Sequence, residues 1–272
     1  MISDFLFVAG VAVLSFALRS FRHPGLFRLG SLGIVVTSFL AGWMLGGHLW
    51  LGLVFAASWF LLPWVEILSR VRKLRIPSDR VLSARPPPPR SEFPDLAELS
   101  AEIEGEGFEH VGDVGCEDET LRQFYRVFKT PCGKTQASIC LAEQGDITFY
   151  YLSVTSRLPG GKVYLTWNYP FCYGLKFSPA TELNRIQGIA PFKRIIASHR
   201  DFLNESGIAA NAPAGLADAD ILEAMQKDFR SQIRHNVDIG FLREDAERAI
   251  RYTSRGMFFL WFQFLRDLMR IF

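Results

Sequence analysis

Hydrophobic residues are distributed unevenly along the chain, with a long apolar region first, a mixed middle region next and an amphipathic segment last. Between residues 29 and 67 the one residue with a formal charge is Glu66, at the end of the stretch. Uncharged apolar segments of this length are typical of transmembrane helices. Because Gly46-Gly47-His48 interrupts the stretch, we predict two spans, at about residues 29–46 and 49–67.

Another apolar segment, at residues 5–18, precedes these two. It follows Asp4 and is followed by Arg19, whereas a secretory signal begins with basic residues and ends at a small-x-small cleavage site. We therefore predict a short transmembrane helix, with a cleaved signal or a helix on the membrane surface as alternatives. The predicted transmembrane region is residues 1–70.

Basic residues flank the three predicted spans in a consistent pattern. Three arginines follow the first span, the turn between the second and third spans has no Lys or Arg, and residues 70–90 contain seven basic residues. Because Lys and Arg favour cytosolic loops, we predict an N-terminus outside and a cytosolic soluble domain. We also expect a basic collar at the membrane interface. The collar consists of Arg70, Arg72, Lys73 and Arg75.

Small residues recur four positions apart in the second span, at Ser38, Gly42 and Gly46. This spacing places them on one helix face, where another helix backbone can approach closely. We expect the face to pack against the first or third span of the same chain. Self-association into a homo-oligomer through the transmembrane helices is the alternative.

Residues 71–94 are predicted to form a basic, proline-rich linker. They include the run Pro86-Pro87-Pro88-Pro89, which favours the extended polyproline II conformation. We expect a semi-rigid spacer, and docking of this run into an aromatic groove of a partner domain is the alternative.

Residues 95–210 have the pattern of a soluble α+β domain. Helical spacing of apolar residues predicts a helix at 95–104. Four strand-like runs follow, separated by short connections that contain glycine; they are 121–129, 135–143, 147–156 and 162–168. We predict an antiparallel meander packed against the opening helix.

The C-terminal region, residues 211–272, is predicted to be helical. Residues 220–237 form an amphipathic helix, and 242–255 are expected to continue the helical part. Residues 257–272 confine their polar side chains to one narrow arc, so we predict an interfacial helix on the cytosolic leaflet, with Trp261, Arg266 and Arg270 at the membrane surface. Packing on the rest of the chain or on a partner protein is the alternative.

The sequence 167–173 is unusually aromatic for the end of a strand. Aromatic side chains with a few polar groups are typical of ligand pockets. We select a speculative ligand site from it and from two later residues, namely Trp167, Tyr169, Tyr173, Arg185 and His199. For the strand end itself, we favour the interpretation that its aromatic residues fill the core.

No complete catalytic, nucleotide-binding or metal-binding motif is present in the sequence. Gly133-Lys134-Thr135 resembles the end of a phosphate-binding loop, but the glycine required five positions before Gly133 is Phe128. The four cysteines show no C-x-x-C spacing. We therefore expect no metal and no cofactor.

The formal net charge of +2 does not favour nucleic acid as a partner. The partners we expect are the lipid bilayer and a protein or a second copy of the chain. These observations favour an integral membrane protein that presents a non-catalytic binding or scaffold domain at the membrane surface. A membrane-associated enzyme with a pocket near Trp167–Tyr173 is the alternative.

Overall fold

A computed structural model describes most of the chain. Residues outside the description are 1, 22, 70, 74–75, 78–80, 118–120, 145–146, 172, 210–211, 246–248 and 272. Only the backbone is described at residues 2–3, 24, 62–63, 66, 73, 76–77, 219 and 267–271. The chain divides into two compact units, Met1–Leu74 with Arg251–Phe272, and Arg75–Ile250.

The described part of the chain contains seven α-helices and ten strands. The helices are α1 (Ile2–Ser20), α2 (Pro24–Gly46), α3 (Leu49–Ser69), α4 (Leu96–Gly105), α5 (Phe192–Glu205), α6 (Asp218–Asp238) and α7 (Ser254–Ile271). The strands are β1 (Ile76–Pro77), β2 (Ser83–Ala84), β3 (Glu109–Glu117), β4 (Arg122–Lys129), β5 (Thr135–Gln144), β6 (Ile147–Arg157), β7 (Val163–Trp167), β8 (Thr181–Arg185), β9 (Leu242–Glu244) and β10 (Ala249–Tyr252). This is the predicted α+β class, with N-terminal helices followed by a sheet and further helices.

In the first unit, α2 packs between α1 and α3 through small residues. A Cβ atom added at Gly33 would collide with the Ser15 side chain of α1. A Cβ atom at Gly42 would lie 2.6 Å from the carbonyl oxygen of Leu51 in α3. The Trp59 Nε1–H of α3 donates to Ser38 Oγ at 2.8 Å. The predicted small-residue face therefore packs against the third helix of the same chain, as small residues in apolar helix pairs commonly do.

Large apolar side chains remain exposed along α1, α2 and α3 after this packing. Leu45 is 71% exposed and Trp50 is 77% exposed. One described helix, Gly25–Gly46, is long and apolar enough to cross a membrane, with a mean hydropathy of 1.7 and 17% of its window buried. Leu49–Leu61 is a shorter apolar helix. A single qualifying helix near the N-terminus fits either a membrane span or a signal sequence.

The C-terminal helix α7 packs on α3, which is one of the alternatives left open by its amphipathic pattern. Trp261 stacks on Trp64 with a centroid distance of 5.7 Å, and its Nε1–H donates to the Phe60 carbonyl oxygen at 3.0 Å. Phe258 and Phe262 stay about half exposed.

The predicted membrane-interface residues are only partly described. Arg72 and Lys73 lie in a 3₁₀ turn at Val71–Lys73, whereas Arg70 and Arg75 lie outside the described residues. Arg266 and Arg270 belong to α7. Contact of these residues with a membrane stays a prediction.

The second unit is built on a seven-stranded, mostly antiparallel sheet with the order β2-β3-β4-β5-β6-β7-β8. Strands β4 to β7 match the four predicted runs to within one residue at each end. The final pair, β7 and β8, is parallel, with Val163 opposite Thr181. Strands β1, β10 and β9 form a second, three-stranded sheet in that order.

Helices cover both faces of the large sheet. One face packs against α4 and α5 through a core that includes Phe128, Ile139 and Phe192. The other packs against α6 through a core that includes Val127, Cys140 and Ile221. Because side chains alternate along a strand, neighbouring residues of β6 and β7 face different helices.

Three parts of the second unit differ from the sequence predictions. Residues 81–94 do not form a free spacer, because β2 pairs with β3 and both Leu82 and Phe93 are buried. Residues 242–255 contain β9, β10 and the start of α7 rather than a continuing helix. Strand β3 is absent from the sequence predictions, because its charged residues are not typical of a strand. In the structure its Asp113 pairs with Arg126 of β4 at 2.7 Å.

Candidate functional site

A pocket of about 120 Å³ lies between the large sheet and α6, entirely within the second unit. One wall is mainly aromatic and the other carries hydroxyl, amide and charged groups. The aromatic wall consists of Tyr125, Tyr151, Trp167, Tyr173, Phe177 and Phe229. The polar wall includes Gln136, Ser138, Ser153, Thr155, Arg157 and Asp228. We call this space the α6 pocket.

Strand β6 provides both walls because its alternate residues all point toward α6. Tyr151, Ser153, Thr155 and Arg157 line the pocket in that order. Residues two apart in a strand are separated by roughly 6.6 Å, so the lining changes from aromatic to charged along one strand. A sheet face that is simply packed against a helix has no need of such polar residues.

The polar wall contains hydrogen-bonding groups that the protein leaves unused. Ser138 Oγ and Ser153 Oγ are 2.7 Å apart across β5 and β6, and this one hydrogen bond uses only one of the two hydroxyl protons. Among the described residues, nothing hydrogen-bonds to the Thr155 hydroxyl or to the Gln136 amide nitrogen. Gln136 is 6% exposed, and its Nε2 group retains some access, because it is not one of the fully buried atoms without a partner.

One ion pair crosses the pocket from β6 to α6. Arg157 donates to Asp228 Oδ2 from Nε at 3.0 Å and from Nη2 at 2.6 Å. Its Nη1 donates to Gln136 Oε1 at 2.9 Å. Since a guanidinium group has donors only, this contact fixes which end of the Gln136 amide faces Arg157. The unused donor of Gln136 is therefore its Nε2 group.

The aromatic wall contains two of the five predicted site residues, Trp167 and Tyr173. Trp167 stacks on Tyr169 with a centroid distance of 5.1 Å, and Tyr173 stacks on Phe177 at 4.7 Å. Tyr169 therefore supports the wall from behind without lining the pocket. The indole nitrogen of Trp167 is buried with no hydrogen-bond partner.

Arg185, also predicted to bind ligand, instead holds the aromatic segment in place. Its Nε donates to the Tyr169 carbonyl oxygen at 3.3 Å, and its Nη2 donates to the Phe171 carbonyl oxygen at 2.9 Å. These bonds satisfy carbonyls that follow the end of β7. Arg185 contributes to the shape of the aromatic wall rather than to the lining.

His199 lies on the opposite face of the sheet, in α5. Its Nε2 is 3.0 Å from Ser156 Oγ and its Nδ1 is 2.9 Å from Thr166 Oγ1. Burial, together with the nearby charge of Arg200, lowers the pKa of His199 to about 4. Ser156, Thr166 and His199 are each at most 1% exposed. The Ser156–His199 pair therefore lacks the access that a nucleophile needs.

Two tyrosines of the aromatic wall lie close to a buried cysteine. Burial raises the pKa values of Tyr125 and Tyr151 well above the ordinary value. Burial also raises the pKa of the Cys140 thiol to about 12. All three groups are neutral at physiological pH, so they provide neither a thiolate nor a phenolate for chemistry.

The sequence pattern did not identify the polar wall of the α6 pocket. Gln136 and Ser138 alternate with Ala137 and Ile139, as outward-facing residues of an antiparallel sheet do. Helix α6 begins about eighty residues later and covers them. The one local signal was Arg157 at the end of a strand that otherwise carries hydroxyl and apolar residues.

The described residues contain no group of three or more His, Cys, Asp or Glu side chains placed to hold a metal ion. Comparisons with protein-family models, with curated proteins and with solved structures found no match to this chain. The geometry of the α6 pocket is therefore the basis for the functional argument. It combines an aromatic surface, unused hydrogen-bond donors and an internally neutralised ion pair.

Proposed function

We propose that this chain is a membrane-anchored binding protein whose second unit takes up a small molecule in the α6 pocket. Three membrane spans, α1, α2 and α3, anchor it, with the N-terminus outside and the binding unit in the cytosol. The observation that carries the binding role is the set of unused polar groups on Gln136, Ser138, Ser153 and Thr155 under a helix. A structural core would pair such groups or replace them by apolar ones.

The anchoring role is supported by the apolar surface of the first unit. Soluble monomers rarely expose contiguous apolar patches of more than a few hundred Å², whereas α1, α2 and α3 expose Leu, Phe, Val and Trp side chains along their length. Lipid tails are the natural contact for such a surface. The basic residues after α3 support the cytosolic orientation.

A binding role fits the pocket better than catalysis. Of the charged groups that line it, Arg157 and Asp228 are bound to each other, and His199 faces the other side of the sheet. General acid–base catalysis needs a titratable group that can reach a bound molecule. The membrane-associated enzyme therefore has no specific observation in its favour.

The binding role is tested by filling the pocket in the full-length protein. Thr155→Phe places a ring in the space, and Thr148→Phe is the matched control, because Thr148 lies on the same strand and is exposed. Each variant is purified in detergent, and small molecules released by denaturation are compared by mass spectrometry. We expect a compound that co-purifies with the wild type and Thr148→Phe but not with Thr155→Phe. Equal recovery from all three proteins would contradict the proposed site.

The orientation is tested with a native thiol. Cys132 is exposed while Cys116 and Cys140 are buried, and the hydrogen bonds from Thr130 and from the backbone at Lys134 lower the pKa of Cys132. In a Cys172→Ser background, a membrane-impermeant maleimide should label Cys132 only after the cells are permeabilised. A Cys132→Ser control gives the background, and labelling in intact cells would contradict a cytosolic domain.

A further inference from the structure

The polar wall of the α6 pocket presents donor groups that have no acceptor among the described residues. The Gln136 Nε2 group carries two N–H donors, and Gln136 as a residue is 6% exposed. One proton of the Ser138–Ser153 pair and the Thr155 hydroxyl lie on the same wall. A bound molecule gains most by presenting an acceptor such as a carbonyl oxygen, because it then satisfies donors that have no protein partner among the described residues.

The charge of the lining favours a neutral molecule. Arg157 and Asp228 are the two charged side chains among the lining residues described, and they form a 2.6 Å ion pair. An anion would have to compete with Asp228 for the guanidinium group, and a cation gains little from a carboxylate whose charge Arg157 already neutralises. The lining therefore has no net charge with which to favour either kind of ion.

The aromatic wall and the pocket volume limit the size and shape of the ligand. The rings of Tyr151, Trp167 and Tyr173 lie on one side, and aromatic rings pack well against a flat unsaturated ring. A volume of about 120 Å³ is comparable to the apolar cavity of about 150 Å³ that accommodates benzene in another protein. One ring with a small substituent fits this space.

We propose that the α6 pocket binds a small, neutral ring compound that presents a carbonyl oxygen to the Gln136 amide. The ring lies against Trp167 and Tyr173, and the Ser138 and Ser153 hydroxyls lie beside the carbonyl group. This inference rests on the proposed binding function and adds the chemical class of the ligand. Gln136 is the residue that selects an acceptor-bearing ligand over a purely apolar one.

Four single-ring probes separate the classes of ligand. Benzamide is neutral and carries a carbonyl oxygen, toluene has no hydrogen-bonding group, benzoate is an anion and benzamidine is a cation. Trp167 is the one tryptophan between residues 75 and 250, so full-length protein labelled with 5-fluorotryptophan contains one fluorine in the binding unit. Trp167→Phe assigns its resonance. We expect benzamide to shift this resonance with an affinity about tenfold higher than any other probe.

Gln136→Glu tests the donor directly. The variant keeps an oxygen for Arg157 but replaces the N–H donors by a second acceptor oxygen. We expect benzamide affinity to fall about tenfold and benzamidine to become the preferred probe, because the lining gains one negative charge. Gln123→Glu on β4 is the matched control, since Gln123 lies outside the pocket, and it should leave the order of affinities unchanged. Gln136→Leu provides a second, uncharged variant in which benzamide should bind no better than toluene.

The possible contrary results are distinguishable. Preference of the wild type for benzoate, benzamidine or toluene would overturn the ligand class while leaving the α6 pocket as the binding site. An unchanged order of affinities in Gln136→Glu and Gln136→Leu would overturn the role of Gln136. Absence of a saturable shift with every probe would overturn both the ligand class and the proposed site.

Discussion

The two faces of the large sheet place polar side chains in different surroundings, and β6 shows this in adjacent residues. Ser156 faces α5, where its hydroxyl meets His199 at 3.0 Å. Thr155 faces α6, where it lines a pocket and has no hydrogen-bond partner among the described residues. The same strand therefore contributes a satisfied hydroxyl to one layer and an unused one to the other.

On the α5 face the polar side chains stabilise the fold, whereas on the α6 face some of them remain available to a bound molecule. On the α5 face the polar groups form a closed hydrogen-bond network. The Thr166 hydroxyl accepts a hydrogen bond from Asn184 Nδ2 at 3.4 Å and is also hydrogen-bonded to Nδ1 of His199. On the α6 face Gln136 retains donors beside an open volume. Polar groups beside a cavity that have no protein partner are available to a bound molecule.

The largest loss of stability is expected when the His199 side chain is removed from the α5 face. His199→Ala leaves a cavity and removes the partner of both Ser156 and Thr166, and we expect a loss of about 3 kcal/mol in the free energy of unfolding. Urea unfolding of the full-length protein, followed by the Trp167 fluorine resonance, measures it. The affinity of the folded variant for benzamide, measured at low urea, should equal that of the wild type. A weaker affinity would contradict the separation of the two faces.

The pH dependence of stability should come from the same histidine. Its folded-state pKa, about 4, lies below the ordinary histidine pKa of 6.5, so the unfolded chain binds the proton more strongly. This contribution is fully present above pH 6.5 and is lost as the pH falls toward 4, with a total on the order of 3 kcal/mol. Urea midpoints between pH 4 and 7 measure it, and the slope should largely disappear in His199→Gln.

A smaller loss is expected at the ion pair between β3 and β4, on the face covered by α4. Arg126 donates to both carboxylate oxygens of Asp113, at 2.8 and 2.7 Å. Burial acts to raise the pKa of Asp113, but the hydrogen bonds and charges of Arg126 and His110 outweigh it, so the pKa lies below its ordinary value. Asp113→Asn should cost about 2 kcal/mol at pH 7. The difference should shrink as the pH falls below 4, because protonation removes the charge in the wild type as well.

The smallest effects provide the sharpest comparison of the two faces. Ser156→Ala should destabilise the protein by about 1 kcal/mol, because it leaves His199 Nε2 without its partner. Thr155→Val should change stability by less than about 0.5 kcal/mol, because no described group bonds to that hydroxyl. Urea midpoints of the two variants test this, and equal losses would contradict the distinction between the faces.

Local sequence was sufficient for the parts of the fold that depend on local pattern. Alternating residues and glycine-containing turns located β4 to β7. The aromatic run left open whether Trp167 and Tyr173 line a pocket or fill the core, and both lie at the α6 pocket. Strand β3 could not be predicted in this way, because Asp113 has the character of a solvent-exposed residue until Arg126 of the next strand is placed beside it. Strand β8 escaped because parallel pairing with β7 requires a connection that no short turn signals.

The remainder of the candidate site depends on tertiary structure. His199 carries the same sequence signal as a pocket residue, but the position of α5 places it on the other face of the sheet. Gln136 and Thr155 carry the signal of solvent-facing strand residues until α6 covers them. Arg185 was expected to bind ligand, and its position beside the carbonyls after β7 makes it a support for the aromatic wall. Which side of a strand receives a later helix is not encoded in the strand itself.

The most direct test of the central claim is the fluorine spectrum of the full-length, 5-fluorotryptophan-labelled protein during a benzamide titration. We expect a saturable shift of the Trp167 resonance alone. The shift should be absent in Thr155→Phe and present in Thr148→Phe. The five other tryptophans lie outside residues 75–250, so their resonances should not move. A Trp167 resonance that stays unchanged, or that shifts equally in Thr155→Phe, would contradict binding in the α6 pocket.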